Sequence, residues 1–284
     1  MQTGLLLEFF ENAACLRFGL PFLVLGDFGL WGGLHGSYKQ PVHPPTAPSP
    51  EQAATLPQDR ALRIWAGPFI VFMLFLLASS LIGKFSQDLL PGNFWLANPE
   101  YWIYPIQTLV CGFLLLRWWR HYDFHGWSFL PAGIAAGVIA FLIWIAPQQW
   151  FGAPPRPDGF NPDLFAETPA LYWTTLIFRF LRLVLIVPLL EEIFWRGFLM
   201  RYLIRDRFLS VAFGSYAPLA FFGVALGFSL VHSQPDRIPA LLTGLLWNAL
   251  AVRTRSLGSC VVAHAVTNLL LGVYIVRTGQ WGFW

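Results

Sequence analysis

The chain has 284 residues, 56% of them hydrophobic, 17% aromatic and only 12% charged, with a formal net charge of +3 and a mean hydropathy of +0.55. A water-soluble domain carries about 25% charged residues, so this composition excludes an ordinary soluble globule and predicts an all-α, polytopic transmembrane helical bundle. The apolar runs are helix-length rather than the ~10-residue alternating segments of a barrel, and the scattered basic residues form no nucleic-acid-binding patch.

Residues 1–57 are expected to form an N-terminal extension, ahead of a membrane domain over 58–284. Residues 20–34 are apolar but short, glycine-rich and interrupted by Asp27, which suits an interfacial segment or an upstream extension better than a first span. No basic stretch followed by a cleavage site is present, so no signal peptide is expected. Residues 41–58 are polar and Pro-rich and read as an extended linker. Cys15, Cys111 and Cys260 lie far apart without C-x-x-C spacing, and are expected as free thiols packed like small hydrophobes.

About seven spans are predicted from there on. The first covers 65–82, and the second 102–116, with Trp118 and Trp119 as an interfacial belt. The third, 129–146, carries a small-residue face of Gly133, Ala135, Ala136, Gly137 and Ala140 suited to close helix packing. Residues 148–169 are a polar, Pro-rich connection. Residues 171–202 are too long for one simple span. They predict an amphipathic lead-in, with Arg179 and Arg182 near the interface, and then a span over 183–203. Pro188 should bend that span, because its missing N–H frees a carbonyl one turn earlier.

Spans over 216–233, 238–252 and 257–276 follow. The basic residues flanking these spans alternate in number. Arg60, Arg63, Arg117, Arg120, Arg201, Arg205, Arg207, Arg253 and Arg255 fall on one side, against Lys84, Arg156, Arg237 and Arg277 on the other. The richer side is expected to be cytoplasmic in a multi-pass protein of the cell (inner) membrane, with the lipid bilayer as its surroundings.

The stretch 188–201, P-L-L-E-E-I-F-W-R-G-F-L-M-R, places Glu191, Glu192 and Arg196 inside one of these spans. Each such charge costs roughly 2.5–3.5 kcal/mol at mid-membrane. Glu192 and Arg196 stand one helical turn apart and can pair, whereas Glu191 points about 100° away with no partner on its own helix. A structural ion pair between helices is the plain alternative. Two later spans also carry polar groups: Phe228 and His232 lie four apart, as do His264 and Asn268. Counted at 1.5 Å per residue from the cytoplasmic ends, Glu191, His232, His264 and Asn268 fall at roughly 18, 24, 10 and 16 Å, so they can share one cavity. Each pair alone has a packing explanation, but a free carboxylate, two imidazoles and an amide together suit amide hydrolysis.

Taken in order, Glu191-Glu192-x-x-x-Arg196, Phe228-x-x-x-His232 and His264-x-x-x-Asn268 resemble the three motifs of the CAAX prenyl protease and bacteriocin-processing (CPBP, Abi) family of intramembrane endopeptidases. The approach over 253–268 is also similar, and the motifs cover about 188–271. More loosely, R-I-W-A-G-P-F, W-I-Y-P-I-Q, F-N-P and V-P-L-L-E-E-I-F-W-R-G-F-L-M-R resemble a bacterial CAAX prenyl protease-related branch associated with exosortase-type sorting systems.

The resemblance implies Glu191 as general base on a water, with help from His232. His264 and Asn268 would be donors to the oxyanion, and Glu192 with Arg196 an orienting pair. Such a scheme needs no cofactor. Its substrate would be a membrane-embedded or membrane-tethered peptide or protein, of which a prenylated CAAX terminus is one kind. A dry carboxylate holds its proton more tightly than one in water, which favours proton transfer near neutral pH. Two other readings stay open. Glu191, His232 and His264 make an accepted zinc shell for a membrane metalloprotease, although no H-E-x-x-H is present. Alternatively the helical frame serves as a catalytically silent immunity or scaffold protein.

Overall fold

A computed structural model describes residues 56–284 apart from 90–91, 125, 127–128 and 157–158. Cys15, the apolar run 20–34 and most of the linker over 41–58 lie outside the described residues. Among the described residues all regular structure is helical. Four helices are long and apolar enough to cross a membrane, over Gly67–Ser86, Leu130–Trp150, Pro169–Tyr202 and Leu257–Thr278. Outward side chains such as Leu74, Phe113, Leu116 and Phe222 are exposed, which suits a lipid-facing surface.

In chain order the helices are α1 (Gln58–Trp65), α2 (Gly67–Leu89), α3 (Phe94–Ala97), α4 (Glu100–Trp118), α5 (Leu130–Trp150), α6 (Pro169–Tyr202), α7 (Pro218–Leu230), α8 (Arg237–Thr254) and α9 (Leu257–Thr278). The other three predicted spans are present as helices of a different kind. At 13 residues α7 is only about 20 Å long, well short of a ~30 Å core. Helix α8 carries Thr243 and Asn248, and α4 carries Gln107 and Thr108, all four buried against protein rather than lipid.

Local chemistry explains the boundaries. Proline opens α6 and α7, where a missing N–H costs nothing. Ser256 caps α9 by accepting from the Ser259 amide at 3.1 Å, and Gly279 ends that helix in the left-handed region at φ 66°. Side-chain bonds then fasten the connections at each end of the bundle. At one end Tyr122 donates to the Ile64 carbonyl (2.8 Å), Ser256 to the Phe124 carbonyl, and Gln58 to the Asp206 carbonyl. Burial raises the Tyr122 phenol's pKa above the ordinary tyrosine range and keeps it a donor. At the other end Arg156 pairs with Asp236 at 2.7 Å, and Tyr101 donates to the Asn161 carbonyl.

The closest helix contact is between α5 and α9. A Cβ on Gly133 would stand 2.7 Å from the Ser259 carbonyl, and one on Gly137 would stand 2.6 Å from the Ala263 carbonyl. Thr267 seals the contact by donating to the Gly137 carbonyl at 2.9 Å. Gly133, Ala136, Gly137 and Ala140 are buried as the small-residue face requires, whereas Ala135 is exposed and takes no part. The consequence is positional: α9 is drawn deep into the bundle together with His264 and Asn268.

Helix α6 runs unbroken from Pro169 to Tyr202, where the sequence suggests a lead-in followed by a separate span. Two π-helical stretches, Leu181–Ile186 and Ile193–Leu199, lie within it and flank the acidic pair. Such insertions are concentrated at functional sites. Arg179 and Arg182, expected near the interface, are each only 5% exposed. Arg182 donates to Gln107 Oε1 at 2.7 Å and stacks on Tyr104, while Arg179 stacks on Phe160 and Trp284. An aromatic and amide lining on α4 and in the connection before α6 has no periodic signature, so it could not be read from the run of residues around the arginines.

Candidate active site

Glu192 is the hub of the buried polar cluster. Its side chain is wholly buried, and Oε1 accepts from Arg196 Nη1 at 3.1 Å and from His264 Nδ1 at 3.0 Å. The i, i+4 spacing on α6 delivers the first partner, and the α5–α9 contact delivers the second. Arg196 is equally buried and uses its remaining donors on α8. Nε bonds Asn248 Oδ1 at 3.0 Å and Nη2 bonds the Gly244 carbonyl at 3.4 Å. Asn248 in turn donates to the Phe221 carbonyl on α7 at 2.7 Å. The rings of Phe228 and Trp247 lie 5.2 and 5.5 Å from the guanidinium carbon, so the ion pair is enclosed by aromatic surface. An ion pair this dry is held by the bonds around it more than by its own attraction.

Glu191, one residue earlier, has a different environment. Its Oε2 is buried and has no protein hydrogen-bond partner, while the Arg182 guanidinium acts on the carboxylate electrostatically from one side. An ionised carboxylate can only accept, so this oxygen is available to a donor brought by substrate or water.

The remaining predicted residues are placed by neighbours of their own. His232 faces the Phe228 carbonyl through Nδ1 at 2.6 Å, which makes Nδ1 the protonated nitrogen and leaves Nε2 as an acceptor. Its ring packs on Phe228 (4.7 Å) and Trp144 (5.5 Å). Phe228 therefore lies against both His232 and Arg196. Asn268 donates through Nδ2 to the Leu183 carbonyl at 2.8 Å. That carbonyl needs an outside donor: in the π register of Leu181–Ile186 its partner would be residue 188, and residue 188 is proline. The freed carbonyl that Pro188 leads one to expect is the one that anchors Asn268.

The structure thus joins Glu192, Arg196 and His264 by direct bonds and sets Glu191 and Asn268 on adjoining turns of the same two helices, α6 and α9, whereas His232, predicted inside a span over 216–233, lies just past the end of α7. No hydrogen bond links Glu191 to either imidazole or to Asn268 among the described residues. Nor do any three His, Cys, Asp or Glu side chains converge closely enough, among those residues, to hold a metal ion. The donor set Glu191, His232 and His264 that a zinc shell would require is not assembled. Asn248, Gly244 and Trp247 belong to the cluster and escaped the sequence analysis. A lone carboxamide in the otherwise apolar α8 was the available signal for Asn248, and a main-chain carbonyl such as that of Gly244 leaves none.

Cys111 and Cys260 are buried free thiols. Cys260 lies under Trp247, 3.9 Å from its carbonyl.

Every residue of the cluster lies within 173–270, the segment that matches the sequence profile described as type II CAAX prenyl endopeptidase Rce1-like. No curated protein and no solved structure matches the chain. The similarity to the Rce1-like type II CAAX prenyl endopeptidase family is confined to residues 173–270.

Proposed function

We propose that the protein is an intramembrane endopeptidase that hydrolyses a peptide bond of a membrane-embedded or membrane-tethered substrate by means of a glutamate-activated water. The observation that carries this reading is the contrast between adjacent acids. Both acids keep a buried Oε2 with no protein donor, but Glu192 is held through Oε1 by Arg196 and His264, whereas no hydrogen bond or ion pair holds Glu191 among the described residues. A general base must offer such an oxygen to a water.

In this scheme Glu191 takes a proton from the water, and the hydroxide oxygen forms a bond to the scissile carbonyl carbon. The carbonyl π electrons move to oxygen. As the C–N bond breaks, the proton held by Glu191 passes to the departing nitrogen, leaving a carboxylic acid and an amine. His232, with Nε2 free to accept, orients the water. His264 offers only Nε2 to the substrate, because its Nδ1–H is held by Glu192. Donation from Nε2 to the oxyanion therefore requires the imidazolium, whose charge the Glu192 carboxylate accompanies. Asn268 has one amide hydrogen on Leu183 and a second for the oxyanion. Removing one donor of this kind typically slows a reaction by about 10²–10³.

No cofactor is invoked, and the multi-pass arrangement in the cell (inner) membrane is part of the same proposal, with α4, α7 and α8 as membrane-embedded helices packed beside the four long spans to make seven. The richly basic end then faces the cytoplasm. The exosortase-associated branch is part of the proposal, resting on the short resemblances over residues 63–69, 102–107, 160–162 and 187–201.

The test is a comparison of membrane peptides from cells carrying the wild-type protein or Glu191→Ala. A peptide cleaved only in the wild type is expected. Identical peptide profiles would remove the protease reading and leave the silent scaffold.

A further inference from the structure

One feature of the bundle has no part in the hydrolytic scheme. An open groove of about 700 Å³ runs along α7 and α8 at the arginine-rich end, lined by Tyr216, Phe221, Ala249, Val252, Arg253 and Arg255. Four of the six lining residues present apolar or aromatic surface, and Tyr216 is exposed at 56%. Both guanidiniums are exposed, and neither has a carboxylate within 4 Å among the described residues. Arg253 by itself has a simpler explanation, since a cation in the last turn of α8 complements the helix dipole.

Arg255 shares that helix end, but its backbone conformation works against any non-glycine residue. It is the helix cap, held in the left-handed region at φ 51° and ψ 33°, the only non-glycine residue with positive φ among those described. Glycine is favoured at that position and would relieve the strain. The chain retains instead a second guanidinium, two residues from the first and over an apolar floor. The groove opens at the end of the bundle that also carries Arg60, Arg63, Arg205 and Arg207, which in the proposed membrane arrangement is a headgroup level. A charged rim above an apolar wall fits an amphiphile better than a free anion, whose binding would gain nothing from the rings.

We propose that this groove binds an anionic phospholipid, with the phosphate between Arg253 and Arg255 and an acyl chain along Phe221, Ala249 and Val252. The site is independent of the proposed peptidase activity. It nevertheless lies next to the buried cluster, because the carbonyl of Phe221 accepts from Asn248, which holds Arg196.

The full chain, purified in detergent, can be titrated with phosphatidylglycerol and with phosphatidylcholine of the same acyl chains, and the retained lipid counted by native mass spectrometry. Wild type is expected to retain the anionic lipid about tenfold more tightly, and R253Q/R255Q to lose most of that preference. R255G is expected to unfold at or above the wild-type temperature in phosphatidylcholine while still losing preference. That keeps the test valid should the double variant fail to fold. R60Q/R63Q, at the same end, should leave the preference unchanged. The proposal is overturned if R253Q/R255Q or R255G keeps the wild-type preference, or if R60Q/R63Q loses it equally. Displacement of the lipid by inorganic phosphate at equal concentration would also overturn it, by marking a site for a free anion.

Discussion

Arg196 and Asn248 are bonded across two helices, Nε to Oδ1 at 3.0 Å, and through this contact α8 holds a guanidinium whose acidic partner is on α6. Replacing Asn248 with Ala leaves Arg196 Nε without its acceptor in a buried place. Each unmade bond of this kind costs about 1–3 kcal/mol. Thermal unfolding in detergent should fall by roughly 2–4 °C per kcal/mol for a chain of this size. An unfolding temperature unchanged within a degree would show that the bond contributes nothing to the fold.

The two adjacent acids are expected to behave oppositely on neutralisation. Glu191→Gln should abolish cleavage and leave thermal stability close to wild type, because Glu191 Oε2 has no protein donor to lose. Glu192→Gln strips Arg196 and His264 of their shared charge, and breaking a buried pair from one side costs about 3–5 kcal/mol. Unfolding curves and peptide cleavage measured on both variants check this. Equal stability loss in the two would assign the wrong acid to the hub.

Asn268 and Pro188 should be coupled through the Leu183 carbonyl. Asn268→Ala removes the side-chain donor to that carbonyl and is expected to destabilise by about 1–3 kcal/mol. Pro188→Ala supplies a main-chain N–H in the π register, so the double variant should recover part of the loss. A coupling of about 0.5–3 kcal/mol is expected from the double-mutant cycle in chemical or thermal unfolding. Strict additivity would mean that the two residues do not share the acceptor.

Crowding the α5–α9 contact should disturb the site from a distance. In Gly137→Ala the new methyl would stand 2.6 Å from the Ala263 carbonyl and 2.7 Å from Val266 Cβ, so the helices must part. Overpacking of this kind costs about 1–3 kcal/mol. Because α9 carries His264 and Asn268, cleavage should fall more steeply than stability. Gly223→Ala is the control, since its new Cβ would meet only Leu203 Cδ1 at 3.7 Å. The two variants should separate clearly in a cleavage assay.

The membrane class and the helical content were legible because they depend on composition and run length, which are properties of the chain taken locally. So was the turn that brings Glu192 to Arg196, since α-helical spacing alone places residues four apart on one face. The expected freed carbonyl at Pro188 was legible for the same reason, although its acceptance of Asn268 was not. The span count was less readable. Both α7 and α8 are apolar in sequence, yet one is too short and the other, with Arg237, Asn248 and Arg253, too polar to meet the length and hydropathy of a free-standing span.

What the sequence by itself determined was the class of protein and the presence of charged and amide groups inside apolar helices. Both follow from the cost of taking polar groups out of water, which any window of residues reports. Only the tertiary structure decided which acid His264 serves, that Asn248 completes the guanidinium's bonding, and that Arg179 and Arg182 are buried among aromatic rings. Those pairings join residues on different helices, some more than seventy positions apart. They are set by how closely the helices pack, and that distance depends on the missing side chains of Gly133 and Gly137 at a contact no periodicity can register.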